Sequence, residues 1–486
     1  MRLVSTRNQN ETTEALQAVL RGIAPDGGLY VPTSFPALPD INSLLPLRYD
    51  ALCAKMLSLF FDGVKDMGAL TTVAYAGFDD KDVAPVKRIA DGQYVMELWH
   101  GPTLAFKDMA LSILPRLMTE AMSQQQGHDV LILVATSGDT GKAALEGFCD
   151  VPHTQIFVFY PDEGVSDMQL LQMTTQRGAN THVAGVRGNF DDAQNGVKAI
   201  FGDADFAAKA AAKGYTLSSA NSINFGRLAP QIAYYVWAYA QLLQRGDIAA
   251  GEKINFVVPT GNFGNILAAY YAKRMGLPVG KLICASNRNN VLTDFFRRGE
   301  YSLQREFYKT MSPSMDIMIS SNLERLLFEL TGRDEAAVRA MMAQLKSSGR
   351  YDIGETARSG LEADFWSDWC GEEETQAAIR RTFEQTGYLA DTHTAVALGV
   401  YEKYKAMGDA AKTVVVSTAS PYKFPGDVLA ALGGGKTGSP FTDAKKLSEM
   451  TGTAIPKQLA ELEGSPVRHT AVVDIPGMAD AVLQVL

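Results

Sequence analysis

From residue 90 onward the chain alternates two rhythms, and this alternation restricts its possible folds more than any other feature. Apolar runs stand at 94–99, 130–135, 155–160, 181–186, 254–258, 281–286 and 412–417. Between them lie longer stretches with helical spacing, for example 107–124, 140–149, 189–201, 224–244, 263–275 and 391–406. Short apolar runs suit strands buried on both faces, and the intervening helices supply the crossovers that parallel strands require. The expectation is an α/β fold of parallel sheets covered by helices on both faces. In open sheets of this kind ligands bind beyond the carboxyl ends of the strands, so the loops there are where chemistry is sought. Pro115, inside the first helical stretch, predicts a kink.

Residues 1 to about 90 read as a separate helical region. Thr12-Thr13-Glu14 opens an amphipathic helix through Leu20. Pro25 to Pro32 is a turn and short strand, and Tyr49 to Phe61 is again helical in pattern. The 290–385 stretch reads as an insertion, with helices expected at Leu323–Leu330 and Glu335–Leu345 and a Trp366/Trp369 pair. After Gly433-Gly434-Gly435, a short helix and a possible edge strand at Ala471–Ile475 are expected. The domain limits expected are 1–90, then 91–125 together with 245–486, and 126–244 as a smaller α/β unit.

At 486 residues the chain is long enough for more than one core. Its net charge of −9 argues against non-specific binding to nucleic acid or anionic membranes, so any phosphate site must be local. Cys53, Cys149, Cys284 and Cys370 form no C-x-x-C pair, which points to reduced, inert thiols. None of the six histidines has metal-site spacing, so no metal is expected. The opening residues lack the apolar core of a signal peptide, and no apolar run reaches transmembrane length; a cytoplasmic protein is expected.

Four loops hold the candidate chemistry. In Glu97 to Asp108, Thr103 and Asp108 suit capping and first-turn positions. Lys107 then sits at a helix start beside Leu104 and Phe106, where a charged ammonium is disfavoured and its pKa should fall. A neutral lysine amine can attack an aldehyde. Taken alone, the stretch more commonly describes an ordinary surface lysine opening a helix. Ala135-Thr136-Ser137-Gly138-Asp139-Thr140-Gly141-Lys142 combines hydroxyls and glycines at a helix start, which suits an anion or simply a capped helix. Asp139 is awkward for an anion and could accept from a ligand hydroxyl or cap the helix. Ser218 to Arg227 is dense in polar residues, and Arg227 could grip a carboxylate or phosphate with its planar fork, or lie at the surface. Pro259 to Asn265 has two glycines three apart, which lets backbone N–H groups converge on a phosphate, although the P-loop and G-x-G-x-x-G spacings are missing. His393 opens a helix, and Ser417-Thr418-Ala419-Ser420 ends a strand with small hydroxyls.

Taken in order, these motifs resemble one family. His100 to Asp108, Ala135 to Gly141 and Gly261-Asn262-Phe263-Gly264-Asn265 look like threonine synthase, and Pro25 to Pro32 and Ser417 to Pro425 are similar to it as well. The resemblance spans about 25 to 430 and points to the family's larger subgroup. It implies two parallel-sheet, three-layer domains of the tryptophan synthase β type (fold type II) with an extra helical N-terminal domain. It implies pyridoxal 5'-phosphate, with Lys107 as the Schiff-base lysine and 261–265 as the cradle for the cofactor phosphate. Thr418, or its neighbour Ser417, would face the pyridine nitrogen, and Asp139 would lie against the cofactor. Thr136, Ser137 and Thr140 would form the substrate shelf, with Asn221, Ser222 and Arg227 completing the phosphate grip. The implied reaction is O-phospho-L-homoserine plus water giving L-threonine plus phosphate, in a monomer or homodimer. A serine/threonine dehydratase or phospho-lyase on the same fold, or a non-catalytic metabolite-binding relative, are the alternatives.

Overall fold

The computed structural model describes residues 1–124, 127–162 and 165–486, and its fold is carried by two parallel sheets. The larger has six strands in the order Phe365–Trp369, Val279–Ser286, Ile254–Pro259, Thr413–Ser417, Gln93–Glu97 and Val86–Ala90. Every neighbouring pair is parallel except the last. The smaller has five parallel strands in the order Ala471–Val473, Thr181–Val186, Thr154–Pro161, Asp129–Ala135 and Tyr215–Ser218. All seven strands expected from apolar runs are present.

Successive strand side chains point to opposite faces, so each sheet feeds two cores. In the larger, Val95, Val257, Ile283 and Val415 pack with Val396 and Val400 of the helix Thr392–Lys405. Their neighbours Met96, Phe256, Val258, Leu282, Val414 and Val416 face the helices Phe225–Gln244 and Gly264–Arg274 on the other side. In the smaller, Leu131, Leu133, Phe157 and Phe159 meet Val197, Ile200, Phe206 and Val482, while Ile132, Val134, Ile156 and Val158 face Phe148 and Met173. Both sheets are therefore the middle layer of three, which explains why their strands read as continuous apolar runs.

Several elements depart from the sequence reading. The N-terminal region has its helices, Ala15–Arg21, Tyr49–Ser58 and Met67–Tyr75, but also a three-stranded antiparallel sheet of Asn8–Glu14, Arg2–Ser5 and Tyr30–Pro32. The outer strand is polar throughout and carries no apolar alternation to betray it. Val86–Ala90 escaped notice for a related reason, since Lys87 and Arg88 leave an edge strand charged. The 107–124 stretch is two helices, Asp108–Leu111 and Leu114–Ser123. Pro115 lies in the first turn of the second, where its missing N–H has no intrahelical partner to lose, so it starts a helix and does not kink one. The 290–385 stretch holds both expected helices and also the edge strand Phe365–Trp369, which carries the two tryptophans. Ala471–Val473 completes the smaller sheet from outside the 126–244 range, and the limit expected at 125/126 lies outside the described residues. Among the described residues, no helix is long and apolar enough to cross a membrane. The four cysteines are free, and burial pushes Cys53 and Cys284 up to about 12.

Candidate active site

The loops beyond the strand ends close, with the 313–321 segment, around a cavity of about 520 Å³. Its wall contains Lys107, Thr136, Ser137, Thr140, Asn221, Ser222, Arg227, Gly261, Asn262, Phe263, Gly264, Asn265 and Thr418. Two of the expected residues, Asp139 and Ser417, are buried but do not form the wall. The Ser417 hydroxyl accepts from Trp99 Nε1 at 3.0 Å and Tyr388 OH at 3.2 Å, and lies 3.0 Å from Thr394 Oγ1. Adjacent residues at a strand end face opposite ways, so with Ser417 turned into the protein, Thr418 is the hydroxyl presented to the cavity.

The loop carrying Lys107 is fixed at several points. Asp108 stands in the first turn of its helix, as expected, and accepts from the Thr103 N–H at 2.8 Å and from its hydroxyl at 2.5 Å, whereas the residue at the capping position is Lys107 and not Thr103. Leu104 has φ 61°, a left-handed conformation costly for a branched side chain. The backbone is tied to the end of strand Thr413–Ser417: Phe106 N–H donates to Thr418 O at 2.8 Å, and Ser420 N–H to Leu104 O at 3.0 Å. Lys107 Nζ donates to Ser314 Oγ at 3.2 Å and lies 3.6 Å from Asp139 Oδ2. Burial lowers its pKa to about 8; Asp139 opposes the fall, while Lys423 and Arg227 add to it. The fall was expected from the apolar flanks and the helix start, and burial is its largest cause. The helix that follows has four residues and a correspondingly weak dipole.

Asp139 neither caps its helix nor faces the cavity. Its Oδ1 accepts from Lys423 Nζ and Gln169 Nε2, both at 2.8 Å, and its carboxyl is held below the ordinary range by the two lysines despite burial. In the same loop Thr136 Oγ1 accepts from the N–H groups of Gly138 and Gly141 at 3.0 and 2.9 Å, and so shapes the turn.

Arg227, far from being a surface residue, is 3% exposed. Its Nη1 donates to Ala220 O at 2.7 Å, while Nε has no hydrogen-bond partner among the described residues. The Asn221 Oδ1 and Asn265 Nδ2 atoms are likewise buried and unpartnered. Asn265 is held in place through its other atom, Oδ1, by Tyr234 OH and Tyr235 OH, each at 2.6 Å. Three unsatisfied buried groups in one cavity wall mark where a polar ligand would be gripped, because leaving such atoms unpaired is costly. The glycine bend in the same wall is packed closely against the 313–315 turn. A Cβ on Gly261 would stand 2.7 Å from the Ser314 carbonyl, and Phe263 is left-handed at φ 64°.

Sequence reasoning missed Ser314, Lys423 and the placement of His393. Ser314 sits in an irregular segment without periodicity, and nothing in its neighbours marks it. Lys423 had a signal, a lysine between Tyr422 and Phe424 just past a strand end, which is an unusual place for a solvated side chain. His393 lines the cavity; its Nδ1 lies 2.8 Å from Asp391 Oδ2 and its Nε2 accepts from the Ser314 N–H at 3.1 Å.

Comparison with known proteins places the chain among relatives of one family. The sequence matches the family description "Threonine synthase N terminus" over residues 2–75, "Pyridoxal-phosphate dependent enzyme" over 85–363 and "Threonine synthase, C-terminal" over 394–482. Threonine synthase-like 1 of Macaca fascicularis is 40% identical over 432 residues, which cover 86% of this chain. The chain spans 58% of that relative's length. Threonine synthase of Pseudomonas aeruginosa is 38% identical over 476 residues, covering 96% of this chain and 98% of that protein. The crystal structure of pyridoxal-phosphate-bound threonine synthase from Brucella melitensis superposes with a TM-score of 0.89 at 37% identity, covering 100% of this chain and 99% of that one. By its sequence, its fold and its cofactor class, the chain belongs to the threonine synthase family of pyridoxal-phosphate-dependent enzymes.

Proposed function

We propose that the protein converts O-phospho-L-homoserine and water to L-threonine and phosphate, with Lys107 as the covalent anchor of pyridoxal phosphate. One observation above others supports the reading: a depressed lysine amine shares a cavity with a buried arginine whose Nε lacks a partner. A substrate that brings both an amine and a phosphate engages both ends. The name and near-complete coverage of the Pseudomonas relative support threonine as the product.

The residues present fit the cofactor. Glycines at 261 and 264, the start of helix Gly264–Arg274 and the unpartnered Asn265 Nδ2 would hold its phosphate. Lys107 would hold its aldehyde carbon, and Thr418 would face its ring nitrogen, where a hydroxyl does not enforce protonation of the ring. Asp139, with its pair to Lys423, would lie behind Lys107. Bound pyridoxal phosphate supplies an electron-accepting ring for charge that develops on the substrate. Lys107, released as an uncharged amine when the substrate's own amine takes its place on the aldehyde carbon, would take the proton from Cα and serve the later proton transfers at Cβ and Cγ. Arg227 and Asn221 orient the substrate phosphate and retain it on departure, so that it stands near the water that adds at Cβ. Thr136, Ser137, Thr140 and Ser222 hold the remaining substrate oxygens, and enclosure in the cavity limits competing hydrolysis.

The test is a product assay on purified protein, with borohydride trapping to locate the cofactor. Threonine and phosphate in equal amounts, and cofactor trapped on Lys107, are the expected results. Release of 2-oxobutyrate as the main product would assign the chain to dehydratase chemistry instead.

A further inference from the structure

Asp139 lies between two lysines that are unequal partners. Lys423 Nζ is 2.8 Å from Oδ1 and Lys107 Nζ is 3.6 Å from Oδ2. Lys423 is 0% exposed and also donates to the Thr103 carbonyl at 2.9 Å, so it has no route to water. The carboxylate is further engaged by Gln169 Nε2 at 2.8 Å and by Ser314 Oγ at 3.3 Å. A buried carboxylate balances a single ammonium, and the nearer, fully enclosed lysine holds that place. The other charged groups around Lys107 do not substitute for it. Arg227 adds positive charge. Asp108, on the same element, is turned to Thr103. Asp316 is taken up by Asn287, Asn289 and Thr310. His393 points its Nε2 at the Ser314 backbone.

Building on the assignment of Lys107 as the cofactor's anchor, we propose that Lys423 is a positioning residue that acts through charge: by holding the nearer oxygen of Asp139 it weakens that carboxylate as a counter-ion for Lys107 and leaves the Lys107 amine freer to lose its proton and react. The lowered pKa of Lys107, about 8, is consistent with this arrangement, because burial and the two neighbouring cations outweigh Asp139. Lys423 itself touches no wall of the cavity, so its effect reaches the reaction only through Asp139 and Lys107.

The experiment follows covalent capture of pyridoxal phosphate by the full chain after removal of cofactor, as a function of pH, by absorbance and borohydride trapping. In Lys423→Met the freed carboxylate can pair with Lys107, so the pH of half-maximal capture rate should rise by about one unit or more. Lys423→Arg should stay near the parent value. Asp139→Asn, which leaves Lys423 facing Lys107 with no carboxylate between them, should lower the midpoint. The Lys423→Met/Asp139→Asn double variant should return below Lys423→Met. An unchanged midpoint in Lys423→Met overturns the proposal. If that variant does not fold, an unchanged midpoint in Asp139→Asn overturns it equally. Trapping at a lysine other than Lys107 in the parent protein would instead overturn the assignment of the anchor, so the two failures are distinct.

Discussion

Arg227 shows how far burial can change the meaning of a residue. In the sequence it stands a few positions into a helix, where a solvated arginine is ordinary. In the structure it is enclosed, and desolvation lowers even its guanidinium pKa, to about 10. For Arg227→Ala we expect affinity for a phosphorylated substrate to fall about 10- to 100-fold, the worth of one or two charge-assisted hydrogen bonds, with cofactor retained. Steady-state kinetics with phosphorylated and unphosphorylated amino acids separate the two; equal losses for both would remove Arg227 from the phosphate grip. His100 makes a second case. Its Nδ1 is 2.7 Å from Asp79 Oδ1 and its Nε2 is 2.9 Å from Glu97 Oε2. Burial favours the neutral ring, but the two carboxylates prevail and hold its pKa up at about 9. A group raised in the folded state stabilises fully below its unfolded pKa, near 6.5, and loses that contribution as pH rises through about 9. The stability margin of the parent over His100→Gln, measured by urea unfolding at pH 6 and pH 9.5, should therefore shrink at the higher pH. The sequence marked Lys107, the glycine bend and the hydroxyl loops because each motif is continuous in the chain. Partners such as Ser314 and Lys423 meet Lys107 only through tertiary packing, which no local spacing encodes.

At the scale of elements, the glycine bend and the 313–315 turn are fitted to each other. The turn Pro313–Met315 lies against Gly261, so that a methyl group there would press on backbone, while at Gly264 the nearest atom is a side-chain amide 3.4 Å away. Gly261→Ala is expected to cost about 1–3 kcal/mol and to displace Ser314, weakening cofactor binding. Gly264→Ala should be far milder. Cofactor titrations by absorbance on both variants check the contrast, and equal effects would remove the fitted contact as the cause. The buried strands were legible because both faces of each sheet are covered, and continuous apolar runs are the signature of that burial. The polar strands Asn8–Glu14 and Val86–Ala90 were not, since each lies at a sheet edge and is specified by its neighbour's backbone more than by its own side chains.

At the scale of the whole molecule, the N-terminal sheet is joined to the remainder by buried polar contacts. Arg325, 0% exposed, donates to Tyr30 O at 2.9 Å and to Ile223 O at 2.6 Å, so it links the N-terminal sheet, the Arg227 loop and the helix Leu323–Leu330. Arg7 and Thr6 reach Glu324 on the same helix at 2.6 to 2.9 Å. Arg325→Met should cost about 3 kcal/mol or more, because it leaves buried carbonyls without donors. Urea midpoints followed by tryptophan fluorescence and by circular dichroism measure this; a midpoint unchanged by both probes would mean that the link carries no stability. Such long-range joints were out of reach of the sequence, whose charge and periodicity describe each segment alone. Strand Thr413–Ser417 lies between Gln93–Glu97 and Ile254–Pro259 in the larger sheet. During synthesis, then, the amine at 107 leaves the ribosome hundreds of residues ahead of the strand that wedges its loop into place. A nascent chain carries Lys107 but not its enclosure, and the assembled cavity exists only after the late-made centrepiece has been inserted between two earlier strands.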